Sequence, residues 1–183
     1  QSHLLADIKK GYAYIYKKTN RKTFIPETKI KGVTYYGPQS FLFNISIEAF
    51  SVVDDFNYQF LKAKTVEKQL ELLQYMAAVL YTPHQNRQAF NIEALEQLRT
   101  PFLKADAAFL YAMVLSYQGC RYLLEKRYKK VFGGVQRKDV KKKYGFAKVV
   151  LQMAGQKFGT HQETKQTRVH TFLEQLNEDL TKK

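Results

Sequence analysis

The sequence predicts a mainly α-helical protein, a single compact bundle of about six helices with a small N-terminal β-hairpin. Three observations lead to this prediction. Apolar residues recur at helical spacing through most of the chain, the segment 107–117 is almost wholly apolar, and one short β-branched stretch surrounds a glycine turn. Because 183 residues are about the length of one domain, we expect a single domain over 1–183, with a hairpin-like segment at 19–40 and a basic linker at 135–143.

The first forty residues predict a helix followed by a hairpin. Residues 3–18 gather their leucines, isoleucines and tyrosines near one helical face, which favours a helix, although the run 12–16 could be a strand. Further on, β-branched and aromatic residues lie on both sides of Lys31-Gly32, a pattern typical of a hairpin. Two strands alone are marginally stable, so this hairpin must pack against the helices.

Two capped helices are predicted next. Ser46 and Asn44 are candidate caps for a helix that begins near residue 46, and Thr65 is a cap for the following helix. The more apolar face of the first helix holds Ala49, Val53, Phe56 and Phe60. The buried stripe of the second is predicted to be Val66, Leu70, Leu73, Ala77 and Leu80. Pro83 ends this second helix, because proline disfavours the α conformation in the residue before it.

The centre of the chain predicts a short helix and then a long one. Asn91 caps the short helix, which ends at Leu98 and is expected to point Ile92, Leu95 and Leu98 inward. The long helix is expected from about Leu103 to Tyr128. Its segment 107–117 is apolar on every side, so it should be surrounded by protein.

Two further helices complete the prediction, after a stop signal at Gly133-Gly134. The first lies near 144–158 and is expected to bury Phe146, Val149, Val150 and Met153. The last has the clearest apolar stripe, made of Val169, Phe172, Leu173, Leu176 and Leu180.

The largest excess of positive charge lies in one segment of the chain. The net charge is +14, and residues 121–157 hold 12 lysines and arginines against 2 acids, a net charge of +10. This segment predicts a basic interaction surface for an acidic partner, unless the lysines simply form a solvated face. The candidate residues are Arg121, Lys126, Arg127, Lys129, Lys130, Arg137, Lys138, Lys141, Lys142, Lys143 and Lys148. Aromatic residues between them, such as Tyr122 and Tyr128, could stack on nucleic-acid bases.

The residue types that carry catalysis or bind metals do not form a motif in this sequence. The four histidines lack the spacing of a zinc site and are expected to be exposed or cap-forming, with His84 and His161 in loops. Cys120 is expected to be a buried small hydrophobe, and Asp54-Asp55 to pair with a lysine. No glycine-rich phosphate-binding loop occurs. We therefore expect no enzymatic activity, no cofactor and no metal.

A series of aromatic, glycine and proline residues marks the chain from the hairpin to the last helix. In the first half these residues are Tyr35-Tyr36-Gly37-Pro38, Leu80-Tyr81-Thr82-Pro83 and Phe90-Asn91. In the second half they are Tyr117-Gln118-Gly119-Cys120-Arg121, Tyr128, Val131-Phe132-Gly133-Gly134, Ala154-Gly155-Gln156-Lys157-Phe158-Gly159 and Phe172-Leu173. This series resembles that of small uncharacterised proteins of Bacteroidetes phages and prophages, found among tail and virion genes. The resemblance implies a structural or tail-assembly protein without catalytic residues.

The expected function is therefore that of a non-enzymatic, phage-type structural or tail/virion-assembly protein, with a basic nucleic-acid-binding module as the alternative. The expected partners are other phage structural or assembly proteins, further copies of the chain, and nucleic acid through the basic residues. No apolar run reaches the roughly 18–20 residues of a membrane span, and the first residues lack the order of a secretory signal. We expect the protein in the virion or the host cytoplasm, without a membrane partner.

Overall fold

The computed structural model describes residues 21–133, 146–153 and 158–182. The predicted helix at 3–18 and the predicted basic linker at 135–143 lie outside these residues.

The predicted hairpin is confirmed. Strand β1 (Glu27–Ile30) pairs antiparallel with strand β2 (Val33–Tyr36), and Ile30 lies opposite Val33. The two turn residues, Lys31 and Gly32, have φ values of 49° and 81°. A two-residue turn with two positive φ angles matches the twist of the flanking strands, which is why this turn favours glycine.

Both predicted caps of the first two helices are confirmed. In helix α1 (Ile47–Lys62) the Ser46 side chain accepts a hydrogen bond from the Ala49 N–H. In helix α2 (Val66–Leu80) the Thr65 side chain accepts one from the Lys68 N–H. Each cap satisfies an amide that the helix itself leaves without an acceptor.

The buried face was predicted well for α1 and less well for α2. Ala49, Val53 and Phe60 are buried on α1. On α2 the prediction was wrong for Val66, which is 58% exposed, and the buried face also includes Leu72, Met76, Ala78 and Val79. The later turns of α2 are enclosed by neighbouring elements on several sides, whereas Val66 lies in the first turn beside the exposed connection from α1.

The predicted short helix is a five-residue α-helix with a 3-10 turn on each side. A 3-10 turn at Ile92–Ala94 leads into helix α3 (Leu95–Arg99), and a second 3-10 turn follows at Thr100–Lys104. The cap is confirmed, because the Asn91 side chain accepts from the Glu93 N–H at 3.0 Å. The inward prediction for Ile92 was wrong, since this side chain is 48% exposed. The 3-10 geometry of the first turn changes the angle between successive side chains, so the α-helical spacing does not apply there.

Helix α4 (Ala107–Arg127) is the long central helix, and it begins later than predicted. The Asp106 carboxylate accepts from the Ala108 N–H at 2.8 Å and sets the start. Leu110, Met113 and Tyr117 are almost fully buried. Ala107 and Ala108, however, are exposed, so the segment 107–117 is not surrounded by protein at its N-terminal end.

The chain N-terminal to β1 crosses α4 at Gly119. A Cβ atom at this position would overlap the backbone carbonyl of Arg21, so only glycine fits. One residue on, the Cys120 thiol lies 3.5 Å from the Lys22 carbonyl oxygen. The glycine of α4 thus fixes the path of residues 21–25.

Four helices follow α4 in the described part of the chain. They are α5 (Lys129–Gly133), α6 (Phe146–Met153), α7 (His161–Gln166) and α8 (Val169–Thr181). Val150 and Met153 are buried on α6 as predicted, and four of the five predicted stripe residues are buried on α8. The exception is Leu180, which is 40% exposed in the last turn. His161 was predicted in a loop but begins α7, where Thr160 and Glu163 form a capping box.

The mainly α-helical class with an N-terminal hairpin is confirmed. Eight α-helices occur among the described residues, and three of them are only five or six residues long. One cluster of buried side chains extends from the hairpin to α8, so the two strands pack on the same core as the helices. None of the helices at 21–133, 146–153 and 158–182 is both long and apolar enough to cross a membrane.

Candidate interaction surfaces

Four of the predicted basic residues lie together at the end of α4 and in α5. Lys126, Arg127, Lys129 and Lys130, here called the basic end, are all exposed. The Lys126 ammonium lies 4.5 Å above the centre of the Tyr122 ring. Lys126 and Arg127 also lie in the last turn of α4, where the helix dipole favours positive charge.

The basic end is attached to the body of the protein by Tyr128, which is buried. The Tyr128 hydroxyl lies 3.2 Å from His170 Nδ1, and His170 Nε2 lies 2.7 Å from the Phe41 carbonyl oxygen. A carbonyl oxygen can only accept, so we assign the proton to Nε2, and Nδ1 accepts from the tyrosine hydroxyl. In addition, the Lys130 N–H donates to the Asn177 side chain at 3.3 Å. The basic end therefore has a fixed position against α8.

His170 corrects a prediction. It was expected to be exposed or cap-forming, yet it is buried and its ring stacks on Phe43 at 4.4 Å between centroids. Burial lowers the pKa of His170, and the hydrogen bond to Phe41 opposes this only in part. His170 is thus a neutral side chain that connects α8 to Tyr128 and Phe41.

Arg121 belongs to the predicted basic set but has a different environment. Its Nε donates to Asp54 Oδ1 at 2.6 Å and one terminal nitrogen donates to Glu125 at 2.8 Å. The buried Tyr117 hydroxyl donates to the same Asp54 oxygen at 2.9 Å. The guanidinium also lies 4.4 Å from the Phe132 ring centre. Burial lowers the pKa of Arg121, but the two carboxylates and Tyr117 outweigh it, so the net direction is upward.

The acidic pair on α1 also departs from its prediction in part. Asp54 makes an ion pair, as expected, but its partner is Arg121 and not a lysine. The Asp55 side chain is on the exposed side of α1, where loss of hydration beside the protein surface and the neighbouring Asp54 carboxylate raise its pKa. The two adjacent acids therefore have different roles, because successive residues of a helix point about 100° apart.

The remaining residues of the predicted basic surface have no described side-chain position. Arg137, Lys138, Lys141, Lys142 and Lys143 lie outside the described residues. Lys148 lies on α6, and its side chain is likewise outside the description. The basic end accordingly consists of four residues, and whether the surface extends further stays a prediction.

Cys120 is buried, as predicted. Burial raises the pKa of its thiol to about 12, so the thiol is protonated at neutral pH. Within 21–133, 146–153 and 158–182, no group of three His, Cys, Asp or Glu side chains is placed to hold a metal ion.

A cleft of about 720 Å³ is a feature that the sequence reasoning missed. It lies between the loop 82–91, the N-terminal end of α1 and the turn at 166–168. Its lining contains a high density of carboxamides, including Gln39, Asn44, Gln85, Asn86, Gln88 and Asn91. Four of these lie in the stretch 84–91, where the sequence predicted only a loop at His84 and a helix cap at Asn91. The concentration of Asn and Gln in that loop is the signal that could have identified the cleft.

Comparison with protein-family models, with curated proteins and with solved structures finds no significant match.

Proposed function

We propose that this protein is a non-enzymatic, phage-type structural or tail/virion-assembly protein that acts through contacts with other proteins. The observation that carries the proposal is the basic end, four exposed cations held in a fixed position by Tyr128 and by Asn177. A rigidly held charged surface favours one orientation of a partner, because opposite charges set the register between two proteins.

The residues of the phage resemblance support the proposal in a second way, because several of them meet in the framework of the fold. Gly37 lies against the Tyr81 ring, and the Tyr81 hydroxyl donates to the Ile25 carbonyl at 3.0 Å. Gly119 gives residue 21 its path across α4. These residues act in packing, which fits the absence of catalytic residues that the resemblance implies.

The proposal is tested by locating the protein during phage production. We expect it in purified particles, or in assembly intermediates separated by sedimentation, from cells that express the phage genes together with this protein. Mass spectrometry of each fraction measures its amount. Absence from both the particles and the intermediates would contradict the proposal.

The alternative function is a nucleic-acid-binding module, favoured by the four exposed cations of the basic end and by the Tyr122 ring beneath Lys126. Tyr128, which was expected to stack on bases, is buried instead. Lysine and arginine contacts with phosphates release counterions, so binding of this kind weakens steeply as salt rises. Labelled DNA and RNA titrated at two salt concentrations distinguish the functions. Salt-sensitive binding that is lost when Lys129 and Lys130 are replaced by glutamate supports the alternative, and its absence removes it.

A further inference from the structure

We propose that the cleft between the loop 82–91 and the N-terminal end of α1 binds an extended acidic segment of a partner protein. This inference rests on the proposed function and names the chemistry of one partner. It concerns a surface separate in sequence from the basic end.

The charge of the cleft is the first argument. Its lining contains Arg87 and Arg168 together with His84, and no aspartate or glutamate of the described residues lies in it. The exposed Arg168 side chain makes no capping hydrogen bond to its own helix. A concave surface with positive charge and no carboxylate attracts anionic groups and disfavours cationic ones.

Arg87 contributes positive charge to the cleft, although its guanidinium is largely buried against the end of α2. One terminal nitrogen donates to the Val79 carbonyl at 3.0 Å and the other donates to the Leu80 carbonyl. Burial lowers its pKa to about 10, so the guanidinium is still charged at neutral pH. The carbonyls at the end of α2 offset part of this charge, but no carboxylate among the described residues pairs with Arg87. The arginine is therefore both a support for the loop and a source of positive potential.

The hydrogen-bonding groups of the cleft are the second argument. Carboxamide side chains donate and accept, as the backbone of an extended peptide does. Gln85, Asn86 and Gln88 are exposed in the loop. In the described part of the chain, no acceptor is bound by the backbone N–H groups of residues 85–90. Two further donors of the lining, Arg87 Nε and Gln166 Nε2, are buried without an acceptor in the same residues. The lining therefore offers hydrogen-bond donors to the carbonyl and carboxylate oxygens of an extended peptide.

The size and composition of the cleft favour a peptide over a polynucleotide. Its volume of about 720 Å³ lies within the roughly 300–1,000 Å³ of ligand-binding clefts. A nucleic-acid strand needs several cations that follow its phosphates, and two arginines are too few. An acidic peptide instead offers separate carboxylates joined by amide groups, which match the arginines and the carboxamides.

Two cleft variants and two matched controls test the inference. Gln88→Glu adds a negative charge to the lining with little change of size, and Arg168→Gln removes a positive one. Gln162→Glu, on the exposed face of α7, and Lys29→Gln, on β1, make the same charge changes outside the cleft. The probe is a short labelled peptide in which glutamate alternates with serine, and a peptide with glutamine in place of glutamate is the neutral reference.

Fluorescence anisotropy measures binding, and circular dichroism checks that each variant folds. We expect the wild type to prefer the acidic peptide, each cleft variant to bind it about fivefold or more weakly, and each control to stay within about twofold of the wild type. Absence of binding by the wild type, equal losses in controls and cleft variants, or a loss confined to Lys129→Gln and Lys130→Gln would overturn the inference. Displacement of the peptide from the cleft by single-stranded DNA at lower concentration would also overturn it.

Failure of this inference and failure of the proposed function give different results. If the protein occurs in phage particles but does not bind the acidic peptide, the cleft assignment is wrong and the proposed function stands. If the peptide binds in the cleft but the protein is absent from particles and intermediates, the phage function fails.

Discussion

Arg121 and the basic end lie within ten residues of each other in the sequence, yet they are used in different ways. Arg121 faces Asp54 and Glu125 and connects α4 to α1. The four cations of the basic end have no carboxylate partner among the described residues and face solvent. The same residue type therefore stabilises the fold where the opposite element supplies an acid, and remains available for a partner where it does not.

The largest effect on stability should come from the buried interior of α4, which is part of neither Arg121's ion pair nor the basic end. Leu110→Ala removes an almost fully buried side chain and leaves a cavity, so we expect a loss of about 2–5 kcal/mol in the free energy of unfolding. Urea denaturation followed by circular dichroism measures it. Leu103→Ala is the control, because Leu103 is about half exposed. Equal losses for the two leucines would show that α4 is not the core of the fold.

The ion pair of Arg121 should give the next largest effect. Asp54→Asn leaves Arg121 with Glu125 alone and weakens the hydrogen bond from Tyr117, so we expect a loss of about 1–3 kcal/mol. The neighbouring substitution Asp55→Asn makes the same charge change at an exposed site and should cost less than about 0.5 kcal/mol. If both substitutions cost the same, the distinction between the two acids is incorrect.

His170, which supports the basic end, should make the stability depend on pH. Its pKa is lower in the folded protein than the ordinary value of 6.5, because burial disfavours the charged ring. The unfolded chain therefore binds a proton first as pH falls. The contribution of His170 to the free energy of unfolding is fully present above pH 6.5 and decreases as the pH falls below that value. Below the pKa of His170 in the folded protein, it no longer changes with pH. Thermal unfolding as a function of pH measures the decrease.

The exposed histidines provide the control for this effect. His84→Asn and His161→Asn should lose as much stability below pH 6.5 as the wild type. His170→Asn should lose less over the same pH range, even if this variant is less stable than the wild type at neutral pH. A pH profile that is unchanged in His170→Asn would contradict the assignment of the decrease to His170.

Charge reversal of the basic end should have the smallest effect on stability. Lys129→Glu with Lys130→Glu changes exposed side chains, so we expect a change within about 0.5 kcal/mol for each substitution and a large loss of the protein from phage particles. Lys29→Glu with Lys104→Glu makes the same change of net charge at exposed sites elsewhere and should retain particle association. If the reversal at 129 and 130 unfolds the protein, then the division between Arg121 and the basic end is wrong.

The local signals in the sequence were sufficient for most of the elements. Ser46, Thr65 and Asn91 cap their helices as predicted, and Lys31-Gly32 forms the predicted turn. These features depend on interactions within a few residues, which the sequence contains directly. Predictions that depend on distant neighbours were less accurate, as the exposed Val66 and the buried His170 show.

The candidate sites illustrate the same limit. The sequence identified Lys126, Arg127, Lys129 and Lys130 as basic residues close in the chain, and all four are exposed in the structure. It could not distinguish Arg121 from them, because Asp54 lies 67 residues away. The cleft was missed for a similar reason, since its wall combines the loop at 82–91 with Arg168 and the start of α1.

The sequence by itself determined the helical class, the hairpin turn, the helix caps and the concentration of charge, since each depends on residue type and short spacing. Only the tertiary structure decided which charges are paired, that His170 is buried between Tyr128 and Phe41, and where a cleft without carboxylates forms. The physical reason is that burial and pairing depend on contacts between residues far apart in the chain, which periodicity does not specify.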